Sequence, residues 1–334
     1  MFVAPVCSLR WVVADSHRCL CVILKHKAAQ KRRRNDSFGE SSGAPCHISF
    51  SRRSGGQWFL RGILMITEQV SRIGGTTRVF GCIADPVGHV RAPTVLNKLF
   101  AQQGIDHVMV PIHAPAGDLN TIIEGLRRLP NFGGMAVTIP HKVPLAALCD
   151  TLGVSAQLTG AVNAVRFGDD GRLHGDNFDG QGFVAGLRMK GHDPAGKSVL
   201  MIGAGGAARA IALALHDAGA STICICNRTI DKAAAIADAV NAGDDAPRLT
   251  AMRHHDGSNV ELIVNTTSLG LHAGDALPLP LESVDDGTLI ADIIMTPRET
   301  AWLKAAQQRG LTIHHGHHML DCQIELIGQF IGAL

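Results

Sequence analysis

Two short stretches carry the side chains best suited to moving a proton. VTIPHK (137–142) places Thr138 and Lys142 just after an apolar run, where α/β proteins present ligand groups. GDNFDG (175–180) adds Asp176 and Asp179. Asx and Gly clusters are common in turns, so each stretch alone also reads as a loop. Together, a lysine and a carboxylate at the mouth of a cofactor cleft can transfer protons while the cofactor transfers hydride. The cofactor side is carried by VLMIGAGGAARA (199–210), in which Gly203, Gly205 and Ala208 fit G-x-G-x-x-[G/A]. Val199 to Ile202 read as a buried parallel strand, and Ile211, Leu213 and Leu215 continue an alanine-rich helix that Gly219 can end. Gly203 permits a tight turn, Gly205 leaves room for a pyrophosphate, and Ala208 lets helix and strand pack closely. The helix start then faces phosphates with free N–H groups and its positive dipole end. Strand, turn and helix together predict a dinucleotide site at Gly203, Ala204, Gly205, Gly206 and Ala207.

The next strand, STICICN (221–227), selects among dinucleotides. An NAD site usually carries Asp or Glu about 20 residues after the fingerprint, bonding the ribose 2′-hydroxyl. Here that end carries Asn227, Arg228 and Thr229, with Lys232 a helical turn on and no acid at the strand end. A guanidinium can clamp a 2′-phosphate and stack on adenine, so NADP is expected. A solvated arginine at a helix start is the plainer alternative.

These groups need strands that end at one edge and helices that begin there. Strands are expected at 79–84, 107–112, 133–140, 197–203, 221–227, near Leu249, at 261–265 and at 287–293. Helices are expected at 94–103, 118–129, 179–189, 206–218, 229–241, 298–309 and 318–331. NAVRF (163–167) and RLHG (172–175) around Asp170-Gly171 read as a hairpin. The alternation argues α/β with a mostly parallel sheet. The order is an α/β domain, a dinucleotide domain, and one helix able to return to the first.

At 334 residues the chain is long enough for two domains with cores. No apolar run approaches the roughly 20 residues that span a bilayer, so no membrane partner is expected. Residues 1–64 hold 11 Lys/Arg and 3 Asp/Glu, against 20 and 26 in the remainder. Lys31 to Arg34 read as a solvated charge run and not as a nucleic-acid contact. Residues 1–64 lack sustained periodicity and contain stretches rich in Arg, Ser and Gly, which predicts disorder or an extension upstream of a functional start at Met65; with the lead-in that follows, 1–76 stand outside the first domain. A basic, Ser-bearing transit peptide is the alternative. The nine cysteines fit neither a disulfide framework nor a zinc ribbon, which predicts reduced, buried thiols and a cytoplasmic setting. His314, His315, His317 and His318 suggest a metal, but no acidic or cysteine partner stands at ligand spacing. They read as a polar loop before the last helix, and no metal is expected.

From Val79 to the end the chain resembles shikimate dehydrogenase. The resemblance rests on DPVGHVRAP (85–93), GGMAVTIPHK (133–142), GAVNAVRF (160–167), GDNFDG, GAGGAARA (203–210), NRT (227–229), NTTSLG (265–270) and GHHMLDCQ (316–323), in that order. It implies that Lys142 and Asp179 are the catalytic pair. It implies that Thr138, Asn163 and Gln323 hold substrate hydroxyls and that NRT binds the NADP 2′-phosphate. Thr266, Thr267 and Ser268 would line the nicotinamide side, with Gly316 also at the cofactor. The implied architecture is a substrate domain at 77–178 completed by 315–334, a Rossmann-type NADP domain at 179–314, and a cleft between them. The implied reaction is reversible reduction of 3-dehydroshikimate to shikimate.

Three departures bear on the substrate. The family usually has S-x-S-P, two serines that hold the substrate carboxylate; here Val90, Arg91 and Ala92 precede Pro93. Arg91 could swing in as an ion pair, or the substrate carries a less polar group. A tyrosine common in the family is Met295, in a chain with no tyrosine at all. The chain also stops soon after Gln323, without the family's usual further helix. The partner expected is a small cyclic hydroxy acid, and no oligomeric partner is legible. The alternatives are a dehydrogenase for quinate or another cyclic polyol acid, or a ligand-sensing protein on the same fold. Retention of both Lys142 and Asp179 speaks against a sensor, which needs no acid/base pair.

Overall fold

The computed structural model describes residues 73–242 and 248–334. The extension expected over 1–76 lies outside them as far as residue 72. Residues 73–77 form a turn in which Thr76 and Thr77 donate to Asp106 at 2.7 and 2.6 Å.

The first half runs β1 (Arg78–Ala84), α1 (Ala92–Gln103), β2 (His107–His113), α2 (Leu119–Arg127), β3 (Phe132–Val137), α3 (Lys142–Ala146), β4 (Thr151–Leu152), α4 (Val154–Thr159), β5 (Ala164–Phe167) and β6 (Leu173–Asp176). Its six strands lie in the order β2-β1-β3-β5-β6-β4. β1 is parallel to β2 and β3, while β5 and β6 form the expected antiparallel hairpin. Every residue of β3 is buried. The reason is that both faces are covered: Met135 and Val137 enter one apolar cluster, and Ala136 enters the opposite one.

The second half runs α5 (Asp179–Met189), β7 (Ser198–Ile202), α6 (Gly206–Asp217), β8 (Thr222–Cys226), α7 (Ile230–Asn241), β9 (Leu249–Met252), β10 (Leu262–Asn265), β11 (Leu289–Asp292), α8 (Ala301–Gln308), β12 (Thr312–His314) and α9 (His317–Phe330). Its strands are all parallel, in the order β12-β11-β10-β7-β8-β9. This is the doubly wound order, and it reverses between β7 and β10, where such sheets bind dinucleotides. The apolar run of β7 is explained by two-sided burial: Val199 and Met201 enter one core, Leu200 and Ile202 the other.

α9 joins the halves. Met319 near its start packs in the core of the second sheet, and Ile324 and Ile327 pack with Phe80, Leu96 and Phe100 on the first. α5 lies against both α9 and α6. The polar loop expected around His314 is not a loop. His314 ends β12, pairs with Ala291 and is 1% exposed, while His317 and His318 open α9. A three-residue strand carries too little pattern to be read ahead of its neighbour. The buried thiols expected at Cys224 and Cys226 are half-buried, because both point to the face under the shorter α8 layer.

Candidate active site

The turn after β3 brings Lys142 to the first position of α3, and the end of β6 leads Asp179 to the first position of α5. Lys142 Nζ donates to Asp179 Oδ2 at 2.8 Å and to Oδ1 at 3.1 Å. Asp179 is 8% exposed, at a helix start whose dipole favours a carboxylate. Asn163, buried just before β5, donates to Asp179 Oδ1 at 2.9 Å and to Gln323 Oε1 at 3.0 Å. Its own Oδ1 accepts from Phe178 N–H at 2.9 Å. Lysine, carboxylate and two amides thus form one chain of hydrogen bonds spanning α3, α5, β5 and α9. Asp176 takes no part in it. Its carboxylate accepts from Ala156 and Asn177 N–H, at the start of α4.

A cavity of about 220 Å³ opens over this chain. It is smaller than the roughly 300–1,000 Å³ of drug-sized sites, so it suits a ligand of about one ring. Val90, Arg91, Ala92, Thr138, Lys142, Asn163, Asp179, Met295 and Gln323 all line it. Cys82, His89, Leu320, Ile324 and Ile327 line it too and were not anticipated. Leu320, Ile324 and Ile327 lie on the Gln323 face of α9, a helical spacing legible in the sequence once Gln323 is chosen. Burial pushes the Cys82 thiol up to about 12, so Cys82 faces the ligand as a neutral thiol.

A second cavity lies at the reversal of strand order. Gly203, Ala204, Gly205, Asn227, Arg228, Thr229, Lys232, Thr266, Thr267 and Ser268 line it. Gly203 holds φ at 110°, and a Cβ there would meet Thr266 Oγ1 at 2.7 Å, so the tight turn admits only glycine. A Cβ on Gly205 would meet nothing within 4 Å, which leaves open space before the first turn of α6. This space, with N–H groups facing it, fits a pyrophosphate. Arg228 and Lys232 are exposed on the same cavity, and among the described residues neither forms a salt bridge. An anion there meets two available cations, as a 2′-phosphate requires.

Gly206 and Ala207 open α6 beside this cavity without lining it. Gly316 packs instead: a Cβ there would meet the backbone of Ile293 and Ile294 at 2.5 Å. Thr266 and Thr267 shape the loop after β10, donating to Ile202 carbonyl at 2.8 Å and to Asn265 Oδ1 at 2.7 Å. Asn265 in turn donates to the buried Asp292, which also accepts from Thr300 and Ile294. Among the described residues, His317, His318 and Asp321 bring possible ligand atoms within 4.8 Å of one another. None of the three lines either cavity.

The sequence matches the family described as shikimate dehydrogenase substrate binding domain over residues 82–165, and that described as shikimate / quinate 5-dehydrogenase over 187–270. The shikimate dehydrogenase (NADP(+)) of Rubrobacter xylanophilus is 39% identical over 255 residues, covering 75% of this chain and 89% of that protein. Among solved structures, the 5-ketofructose reductase of Gluconobacter sp. strain CHM43 superposes with a TM-score of 0.69 at 33% identity, covering 77% of this chain and 93% of that one. The shikimate 5-dehydrogenase of Thermus thermophilus in complex with NADP(H) and shikimate gives a TM-score of 0.67 at 30% identity, covering 77% and 94%. With this likeness along nearly the whole length of those proteins, and a lysine–aspartate pair facing a Rossmann-type cleft, the chain belongs to the shikimate dehydrogenase family.

Proposed function

We propose that this chain is an NADP-dependent shikimate dehydrogenase, reversibly reducing 3-dehydroshikimate to shikimate. The observation that carries it is Lys142 held on both oxygens of Asp179 at the floor of a one-ring cavity. NADPH, when bound, supplies the hydride. Lys142 Nζ gives a proton to the oxygen of the carbonyl being reduced and recovers one afterwards, acting as general acid. Asp179 holds the ammonium in place and accepts from a ring hydroxyl. Asn163 is fixed by Asp179, Gln323 and Phe178, so it orients the others as much as it binds. Thr138 and Gln323 complete the set of hydroxyl partners. Arg228 and Lys232 hold the 2′-phosphate, Asn227 and Thr229 shape that end of the cleft, and Thr266 to Ser268 border the nicotinamide side.

In this reading residues 77–178 with 315–334 bind substrate, residues 179–314 bind NADP, and the first 64 residues are not required for turnover. The small-molecule partner is a cyclic hydroxy acid. Cysteine usage without a disulfide framework supports a cytoplasmic setting. The decisive assay follows nicotinamide absorbance with shikimate and NADP⁺. The wild type turns over, and Lys142→Ala lowers kcat by roughly 10²–10⁴ with cofactor affinity little changed. A Lys142→Ala protein as fast as the wild type removes the assigned mechanism.

A further inference from the structure

We infer that the substrate cavity favours an uncharged polyhydroxy ketone, and its alcohol, over one that carries a carboxylate. The inference rests on the oxidoreductase reading above, in which shikimate is turned over, and concerns which substrate charge the cavity prefers. Among the described residues, two permanent cations line the cavity, and each has a carboxylate partner. Lys142 is bound to Asp179, and Arg91 Nη2 lies 2.9 Å from Asp321 Oδ1. Arg91 stands between Val90 and Ala92, yet its guanidinium, 50% exposed, turns toward α9 in a surface pair with Asp321. The Val90 N–H is also occupied, donating to the Val87 carbonyl at 3.2 Å. Among the described residues, His89, exposed at the rim, is the remaining lining residue with a basic side chain.

The wall around this point is apolar and continuous with the core. Ala92, Ile324 and Ile327 belong to one buried cluster with Leu96 and Phe100, and Val90 and Leu320 pack against it. Cys82 faces the same space, and its thiol stays protonated because burial raises its pKa to about 12. Val90 and Ala92 offer no side-chain donor, and Met295 adds none. A carboxylate entering against this wall leaves water and meets no side-chain donor from Val90, Ala92 or Met295 in exchange, which is unfavourable. Hydroxyl groups fare differently. Asp179 accepts, Gln323 and Thr138 donate, and none of these needs a charge on the ligand. The polar half of the cavity therefore recognises a polyol, and the apolar half discriminates against an acid.

The test compares shikimate with shikimate carboxamide, which has the same ring and nearly the same size but no charge. Initial rates with NADP⁺ are measured alongside calorimetric titration of the NADP⁺-loaded protein. The carboxamide is expected to show kcat/KM at least tenfold above the acid and correspondingly tighter binding. Val90→Ser with Ala92→Ser is expected to raise kcat/KM for the acid tenfold or more. Asp321→Asn, which releases Arg91 and leaves the cavity wall unaltered, shifts preference toward the acid in the same sense. Equal or better binding of the acid by the wild type overturns the inference, and would point to His89 or the first N–H groups of α1 as the carboxylate grip. Tighter binding of the carboxamide with turnover of neither compound sustains the charge preference and overturns the shikimate reading. Binding of neither overturns both.

Discussion

In the function proposed above, Arg228 is the residue that sets cofactor choice. It follows β8, borders the cavity beside the Gly203 turn, and shares that cavity with Lys232. No carboxylate at this strand end competes for a ribose 2′-hydroxyl. Arg228→Ala should therefore weaken NADP by roughly 1.5–3 kcal/mol, the size of a lost charge-assisted contact, and leave NAD nearly unchanged. Fluorescence titration with both cofactors reads the difference, and equal losses would show that Arg228 does not meet the 2′-phosphate. The residues of this site were legible because they stand at strand ends, where spacing and type speak together. Lys142, Asp179 and Asn163 lie in separate motifs, and the structure joins them by direct hydrogen bonds. What the sequence did not disclose is pairing across distance. Arg91 was free on paper to hold a carboxylate; its partner Asp321 lies on the last helix, and no local pattern links the two.

α5 is the element on which the two halves meet, and its composition looks wrong for a helix. Gly180, Gly182 and Gly186 fall within eleven residues, each about 1 kcal/mol worse than alanine in a helix interior. The structure supplies the reason. A Cβ on Gly180 would strike the Ala210 carbonyl of α6, and one on Gly182 would meet Gln323 Cβ at 2.6 Å and the Met319 carbonyl at 2.8 Å. The small side lets α9 approach closely enough to put Gln323 beside Asn163. Gly182→Ala should thus destabilise the fold by roughly 1–3 kcal/mol despite its better propensity. It should also lower kcat/KM by displacing Gln323. Gly125→Ala in α2, where a Cβ meets nothing within 4 Å, should instead be neutral or stabilise by up to about 1 kcal/mol. Urea melts of both variants with matched kinetics check the contrast; a stabilised, fully active Gly182→Ala would refute it. The helical span of α5 was readable from its polar start and apolar spacing. β4, β12, α3 and α4 were not, because two to six residues fall short of a period and their conformation is set by neighbours in space.

At the scale of the molecule, the joint between the halves also carries a titration. His314 ends β12 and is buried against Phe183 of α5, with ring centroids 6.0 Å apart at 90°. His318 of α9 and His192 after α5 face it at 5.0 and 6.4 Å, and His315 and His317 lie beside His318. Arg298 and Lys190 add positive charge nearby, and the Asp321 carboxylate opposes it. Among the described residues His314 Nε2 has no hydrogen-bond partner. Burial first, then the neighbouring histidines, pushes His314 down to about 3. Burial followed by His317 brings His318 to about 4, and His317 is lowered by burial and Arg298. Histidine in an unfolded chain titrates near 6.5. Between that value and the depressed ones, the unfolded state binds protons that the folded state refuses. Stability is therefore full above about pH 6.5 and falls as the pH drops toward about 4. Because the cluster ties β12, α5 and α9 together, the loss should appear as lower melting temperature of the whole body and not as local fraying. His314→Phe keeps a ring against Phe183 and removes the most strongly shifted group. Its melting temperature should fall less steeply over the same range, whatever its value at neutral pH, and His314→Phe with His318→Gln should flatten the profile further. Thermal melts across about pH 4–8 measure this, and parallel profiles for wild type and both variants would show that acid sensitivity arises elsewhere.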